Sequence, residues 1–179
     1  MATEESPRWL DEEEIAAWRP LMGLMILIPA QLDAQMQRAA DLNQFEYLVL
    51  AQLSEAPDQR MRISTLATHW FGSLSRVSHL IKRLEGRGWV RREPDLEYGR
   101  YSNAILTEEG WAKVVATAPL QVKLVRQLVI DQLTRAQLRQ TRAISERLLT
   151  RNTPPADCLL HTKDPIEDGC PPVRDATPT

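Results

Sequence analysis

Between Ser73 and Glu93 the hydrophobic period of the chain changes from that of a helix to that of a strand, and no other stretch narrows the fold as far. In SLSRVSHLIKRLEG, Val77, Leu80, Ile81 and Leu84 fall at i, i+3, i+4 and i+7, the spacing of one buried helical face. Turning the sequence by about 100° per residue points Ser75, His79 and Lys82 directly away from that face, with Arg76 and Arg83 on one flank and Ser78 on the other. Gly86 and Gly88 then stop the helix, and Trp89-Val90-Arg91-Arg92 begins a strand. Such a helix is either an ordinary amphipathic element with a solvated cationic side or a surface built to lie against something anionic.

The flanking residues favour the second reading. Ser73 is a good N-cap, because its hydroxyl can accept an otherwise unpaired amide of the first turn. Ahead of it, the basic connector Asp58 to Arg62 leads into a short helix over 64–70, closed by Gly72. Behind it, residues 102–106 form the return strand of a hairpin whose loop, Glu93 to Tyr101, contains Pro94, Asp95 and Gly99. Short helix, turn, exposed second helix and hairpin make a winged helix-turn-helix, in which the N-terminal half of the second helix enters the major groove of DNA.

The rest of the chain reads as helix. Residues 12–40 carry Ile15, Trp18, Leu21, Met22, Met25, Ile28, Leu32 and Met36 at helical spacing, with a bend expected at Pro29. This helix is apolar on more than one side, so it sits in the middle of a domain or is shared with a second subunit. A second helix opens at Asn43 and Glu46, a capping-box-like pair flanked by Leu42 and Tyr47, and stops at Ala56-Pro57. Thr107 with Glu108 and Glu109 starts a helix running towards Leu133 with an interruption near Pro119, and Thr134 with Gln137 opens a last one to about Thr150. The fold class is therefore mainly α with a small two-stranded β wing, a winged helix-turn-helix lobe joined to a helical dimerisation region. Residues 152–179, with six prolines and few apolar side chains, read as a disordered tail.

Composition sets the outer limits. A length of 179 residues, 43% hydrophobic and 26% charged, suits one domain and a tail. The longest apolar run, Leu21 to Ala30, falls short of the roughly 20 residues that a membrane span needs, and no cleavable leader opens the chain. Two cysteines, Cys158 and Cys170, lie outside every periodic segment, so no disulfide framework is expected and the cytoplasm is the expected compartment. The net charge is −2, yet the segment from Arg60 to Arg100 has nine basic residues against four acidic ones, about +5, the local asymmetry of a polyanion binder. Within it, Arg76 can donate a bidentate pair to a guanine edge, while Ser75, Ser78 and His79 are short enough to let the helix approach. Lys82 or Arg83 can meet phosphates, and Arg100 near the hairpin tip can enter the minor groove.

The run LSRVSHLIKRLEGRGWVRRE, followed by GR in the hairpin and then by ILTEEG, resembles the MarR (multiple antibiotic resistance regulator) family of winged helix-turn-helix transcription factors, especially its actinobacterial members. The resemblance covers roughly 12–151 and is most specific over 73–110. It implies a homodimer clasped by 12–40 and 108–151, a DNA-binding lobe over 43–106, and a repressor on a pseudo-palindromic operator of double-stranded DNA. It assigns recognition-helix roles to Ser75, Arg76, Ser78, His79 and Lys82 and the wing role to Arg100. It also suggests a small-molecule effector, for which Trp18, Met22, Met25, Tyr47, Trp70 and Trp111 are pocket candidates as well as core candidates. Two positions depart from the pattern. Tyr98 stands where an Asp usually precedes Gly-Arg, leaving Asp95 and Glu97 to substitute, and Gln121 stands where histidine is common.

Other classes fit less well. The chain has no phosphate loop, no G-x-S-x-G, no H-E-x-x-H and no carboxylate pair on one face, and His69 has no evident nucleophile beside it, so no enzyme and no cofactor are expected. Cys158, His161 and Cys170 lack a second matching pair for zinc, and a tail cysteine among carboxylates has nothing to lower its pKa for redox sensing. The alternative function is a winged-helix protein-protein module, whose basic face would meet an acidic protein.

Overall fold

The computed structural model describes residues 7–68, 73–95 and 101–152. In chain order it runs α1 (Glu12–Ala40), α2 (Gln44–Glu55), β1 (Arg60–Arg62), α3 (Ile63–Leu66), α4 (Leu74–Gly86), β2 (Val90–Pro94), β3 (Ser102–Leu106), α5 (Glu108–Leu128) and α6 (Arg135–Asn152). The chain divides into two compact units, one up to Gln44 and one from Phe45 onward.

In the first unit, α1 opens on a complete capping box. Asp11 accepts from the Glu14 amide at 2.9 Å, and the Glu14 carboxylate accepts from the Asp11 amide at 3.0 Å. Glu12, Glu13 and Glu14 add negative charge where the helix dipole is positive. The helix passes through Pro20 and Pro29 as one continuous element, so the chain does not leave the helix at Pro29. Each proline removes the bond to the carbonyl four residues earlier, on Ala16 and Met25, and both of those residues face solvent that can replace it. The helix ends where Asp41 turns left-handed (φ 46°) and its amide returns to the Gln37 carbonyl at 3.1 Å. Leu24, Met25, Ile26 and Leu27 are all more than half exposed. Because the helix is unbroken, it is long and apolar enough to cross a membrane by length and composition, which the ten-residue run alone does not suggest.

The second unit gathers its core around α4. Val77, Leu80, Ile81 and Leu84 are its buried face, as the spacing predicts, and they join Val49, Leu50 and Leu53 of α2 and Ile63 and Leu66 of α3 among the buried apolar residues. Ser73 caps α4 by accepting from the Arg76 amide at 3.2 Å. At the other end Gly88 (φ 74°) donates to the Glu85 carbonyl at 2.9 Å and Trp89 to the Leu84 carbonyl at 3.0 Å, a Schellman closure that only a left-handed residue allows.

The sheet has three antiparallel strands in the order β1-β3-β2. The expected two-stranded wing is present, with Arg91 opposite Ile105, and a third strand joins it in the segment expected as a connector, with Met61 opposite Ala104. Pro94 is tolerated because β2 is an edge strand. The helix expected over 64–70 begins at Ile63 and continues through Ala67 and Thr68 in a wider turn, while 69–72 lie outside the described residues.

Thr107 accepts from the Gly110 amide at 3.0 Å to start α5, and donates its own hydroxyl to the Gly88 carbonyl at 2.7 Å. The interruption expected near Pro119 does not occur. The carbonyl it leaves unpaired belongs to Val115, which is 54% exposed, so water can serve it and α5 continues to Leu128. The break falls later, at a 3-10 turn over Ile130–Gln132. Thr134 and Gln137 then form the reciprocal cap that starts α6.

Gly110 is held where no side chain fits. A Cβ there would lie 2.1 Å from the Trp89 carbonyl oxygen. Gly110→Ala is expected to lower stability by about 3 kcal/mol, read as a lower urea midpoint, because strand and helix must separate to admit the methyl. An unchanged midpoint would show that the Trp89–Gly110 approach is not tight.

Candidate nucleic-acid interface

The outward side of α4 is as projected. Ser75, Arg76, His79, Lys82 and Arg83 are exposed and Ser78 is half-buried. Ser73 and Ser75 place their hydroxyls 3.3 Å apart at the helix start. Short side chains at this end leave the backbone open to close approach, and the long cations stand beside them.

Those cations fall into two groups. Arg83 is 61% exposed yet sits 3.5 Å from the buried Glu46 carboxylate, and Arg87 lies 3.8 Å from the other oxygen of Glu46 while stacking over Trp89 at 4.2 Å. Two guanidinium groups thus compensate a carboxylate that is only 6% exposed. Arg76 differs. Its guanidinium lies over the Phe45 ring, 5.0 Å from the centroid, and among the described residues it makes no ion pair. Neither does Lys82.

The wing is braced by pairs between residues far apart in sequence. Arg60 of β1 meets Glu93 of β2 at 2.8 Å, and Arg62 meets Asp95 at 2.7 Å, with Asp95 buried. Arg91 also pairs with Glu93. Arg92 donates to the Ser78 carbonyl at 2.7 Å, and its Nε lies 3.3 Å from Glu85 without hydrogen-bond alignment. Arg92 therefore ties β2 to the middle of α4. The +5 of the sequence is accordingly less available than the count implies. Arg60, Arg62, Arg83, Arg87, Arg91 and Arg92 all have acidic partners, which leaves Arg76 and Lys82, among the described residues, as the cations of α4 open to another anion.

Arg100 and Tyr98 lie outside the described residues, as do Glu97, His69, Trp70, Cys158, His161 and Cys170. Of the proposed pocket residues, Trp18, Met22 and Met25 stand at i, i+4 and i+7 on α1, all exposed. In the second unit Tyr47 is buried, and burial, reinforced by the charge of Glu55, raises its phenol above the usual tyrosine value. Trp111 is exposed and, with Ser54, Val115, Ala118 and Val122, lines an open, mostly apolar groove of about 870 Å³ along α5.

Sequence reasoning missed four residues of this surface: Phe45, Glu46, Arg62 and Arg92. By spacing, Phe45 and Glu46 belong to a helix start and Arg62 to a connector. The partners of the first three stand at Arg76, Arg83 and Asp95, and Arg92 donates to the Ser78 carbonyl, separations at which no periodicity links them.

The MarR family model matches residues 42–100, the segment containing α2 to β2. Sco3205, a MarR family transcriptional regulator from Streptomyces coelicolor solved in complex with DNA, is 38% identical, with a TM-score of 0.80 over 86% of this chain and 95% of its own. AbsC, another MarR family transcriptional regulator of the same organism, is 37% identical, with a TM-score of 0.74 over 79% of this chain and 98% of its own. MepR from S. aureus, in complex with DNA, shares the fold at 20% identity and a TM-score of 0.65, over 74% of this chain and 96% of its own. No curated protein matches the sequence. With that identity sustained across nearly the whole of Sco3205, and with the wing and α4 built as described, this chain belongs to the MarR family.

Proposed function

We propose that the protein is a homodimeric, sequence-specific DNA-binding transcriptional regulator that acts in the cytoplasm as a repressor. It covers a pseudo-palindromic operator and so excludes RNA polymerase. The observation that carries this reading is the outer face of α4, where Ser75, His79 and Ser78 leave room for a groove floor while Arg76 and Lys82 stand without acidic partners among the described residues. Arg76 reads a guanine edge, Lys82 meets phosphate, and Arg83 adds a phosphate contact tempered by Glu46. Arg100 enters the minor groove from the wing.

A second copy supplies the two-fold symmetry. The exposed apolar residues of α1, together with Ile144, Leu148 and Leu149 of α6, are surfaces that water does not favour. A two-fold axis then sets two α4 helices about 34 Å apart, in successive major grooves. Sco3205, a relative 38% identical that was solved in complex with DNA, supports the DNA-binding reading. A small-molecule effector would release the operator, and the apolar groove beside Trp111 along α5 is a surface that could take one up.

Footprinting on DNA upstream of the protein's own gene tests the reading, repeated with small aromatic acids. A protected inverted repeat is expected, with affinity falling roughly a thousandfold between about 50 and 200 mM salt. No protection at low salt, with retention of a salt-insensitive protein partner, would mean that the winged helix serves as a protein-protein module.

A further inference from the structure

The first turn of α2 meets α4 along one edge. Arg76, Arg83 and Arg87 are at i, i+7 and i+11, a spacing that brings all three to the same side of the helix. Two adjacent residues of α2 receive them. The buried Glu46 carboxylate lies between Arg83 and Arg87, and the Phe45 ring lies beneath the guanidinium of Arg76 at 5.0 Å. Phe45 is 39% exposed, so its ring is within reach of a side chain arriving from α4.

We propose that Phe45 is a specificity-determining positioning residue, whose ring holds the Arg76 guanidinium in the orientation needed to read a base. This rests on the DNA-binding reading above. A free arginine has many rotamers, and a bidentate contact to a guanine edge uses one of them. A cation–π contact with an aromatic face restricts the arginine's rotamers without offering the strong acceptors of a carboxylate, so the guanidinium N–H groups stay available to a base. An acidic partner would instead compete for those donors, as Glu46 does at 3.5 Å from Arg83 and 3.8 Å from Arg87. The two neighbours therefore separate the tasks of the edge: Glu46 fastens the C-terminal half of α4, and Phe45 orients the one arginine of its N-terminal half.

The test compares wild type, Phe45→Ala, Phe45→Leu and Phe45→Trp, each alone and with Arg76→Ala, on the footprinted operator and on operators changed at the guanine that Arg76 reads. Phe45→Ala and Phe45→Leu are expected to reduce discrimination at that base about three-fold, and Phe45→Trp to restore it. The slope of log affinity against log salt should stay the same in all of them, since no phosphate contact is lost. In the Arg76→Ala background the Phe45 substitutions should add nothing. A separate readout needs no DNA: the ring-current shift of the Arg76 side-chain protons should vanish in Phe45→Leu and persist in Phe45→Trp. Unchanged discrimination in Phe45→Leu, or an equal loss with and without Arg76, overturns the proposal while leaving the regulator reading intact. A wild-type protein that prefers no sequence overturns both.

Discussion

Ile26→Asp is expected to turn the proposed dimer into a folded monomer and to abolish operator protection at concentrations where the wild type protects fully. Ile26 is 64% exposed, so the carboxylate disturbs nothing inside its own subunit, and helical circular dichroism should not change. In the proposed dimer the same position is covered by a second α1. There the substitution forfeits a buried aliphatic side chain and strands a charge in an apolar contact, about 3 kcal/mol per subunit. Two-fold symmetry applies the penalty twice, roughly 6 kcal/mol or about a 10⁴-fold rise in the dimer dissociation constant. Operator affinity follows, since a single lobe keeps half the phosphate contacts and one half-site. Sedimentation velocity at micromolar concentration reads the first effect and a gel-shift titration the second. If Ile26→Asp sediments as the wild type does, α1 is not the dimer contact.

Arg76→Ala is expected to cost about 1 to 3 kcal/mol on the preferred operator and much less on operators lacking the guanine it reads. The asymmetry between sequences is the informative part. Lys82→Ala should weaken every operator alike and lower the salt slope by about one, because a phosphate contact is the same at every base pair. Arg83→Ala should have a smaller effect than Lys82→Ala, since Glu46 at 3.5 Å already takes up part of the guanidinium's charge. Affinities measured on an operator and its single-base variants decide the matter. Equal losses across all variants for Arg76→Ala would reassign that residue to the backbone.

The helices in outline, the caps at Ser73, Thr107 and Thr134 and the buried face of α4 are legible in the sequence, because each depends on groups within a turn or two of one another. Ser73 to the Arg76 amide, Thr107 to the Gly110 amide and Thr134 to Gln137 are all contacts between residues three apart. What escapes the sequence depends on residues brought together only by folding. The strand β1 is three residues long, too short for alternation to declare itself, and it exists because β3 offers it an edge. The continuity of α5 through Pro119 turns on whether the Val115 carbonyl meets water, which spacing does not report. The charge count overstates the free cations for the same reason: the partners of Arg60 and Arg62 are 33 residues away, so a local sum does not show that they are already paired.

The pairing of β1 with β3 also governs the order in which the lobe can assemble. Arg60 faces Ile105 and Arg62 faces Asn103, so this ladder encloses α3, α4 and β2 within one chain loop. Closing a flexible loop of about 40 residues costs about 3 kcal/mol in entropy before the ladder returns anything, whereas α4 and the β2–β3 hairpin can form locally. Helix and hairpin therefore come first and β1 docks last, which makes β1 the first strand to leave when the lobe opens.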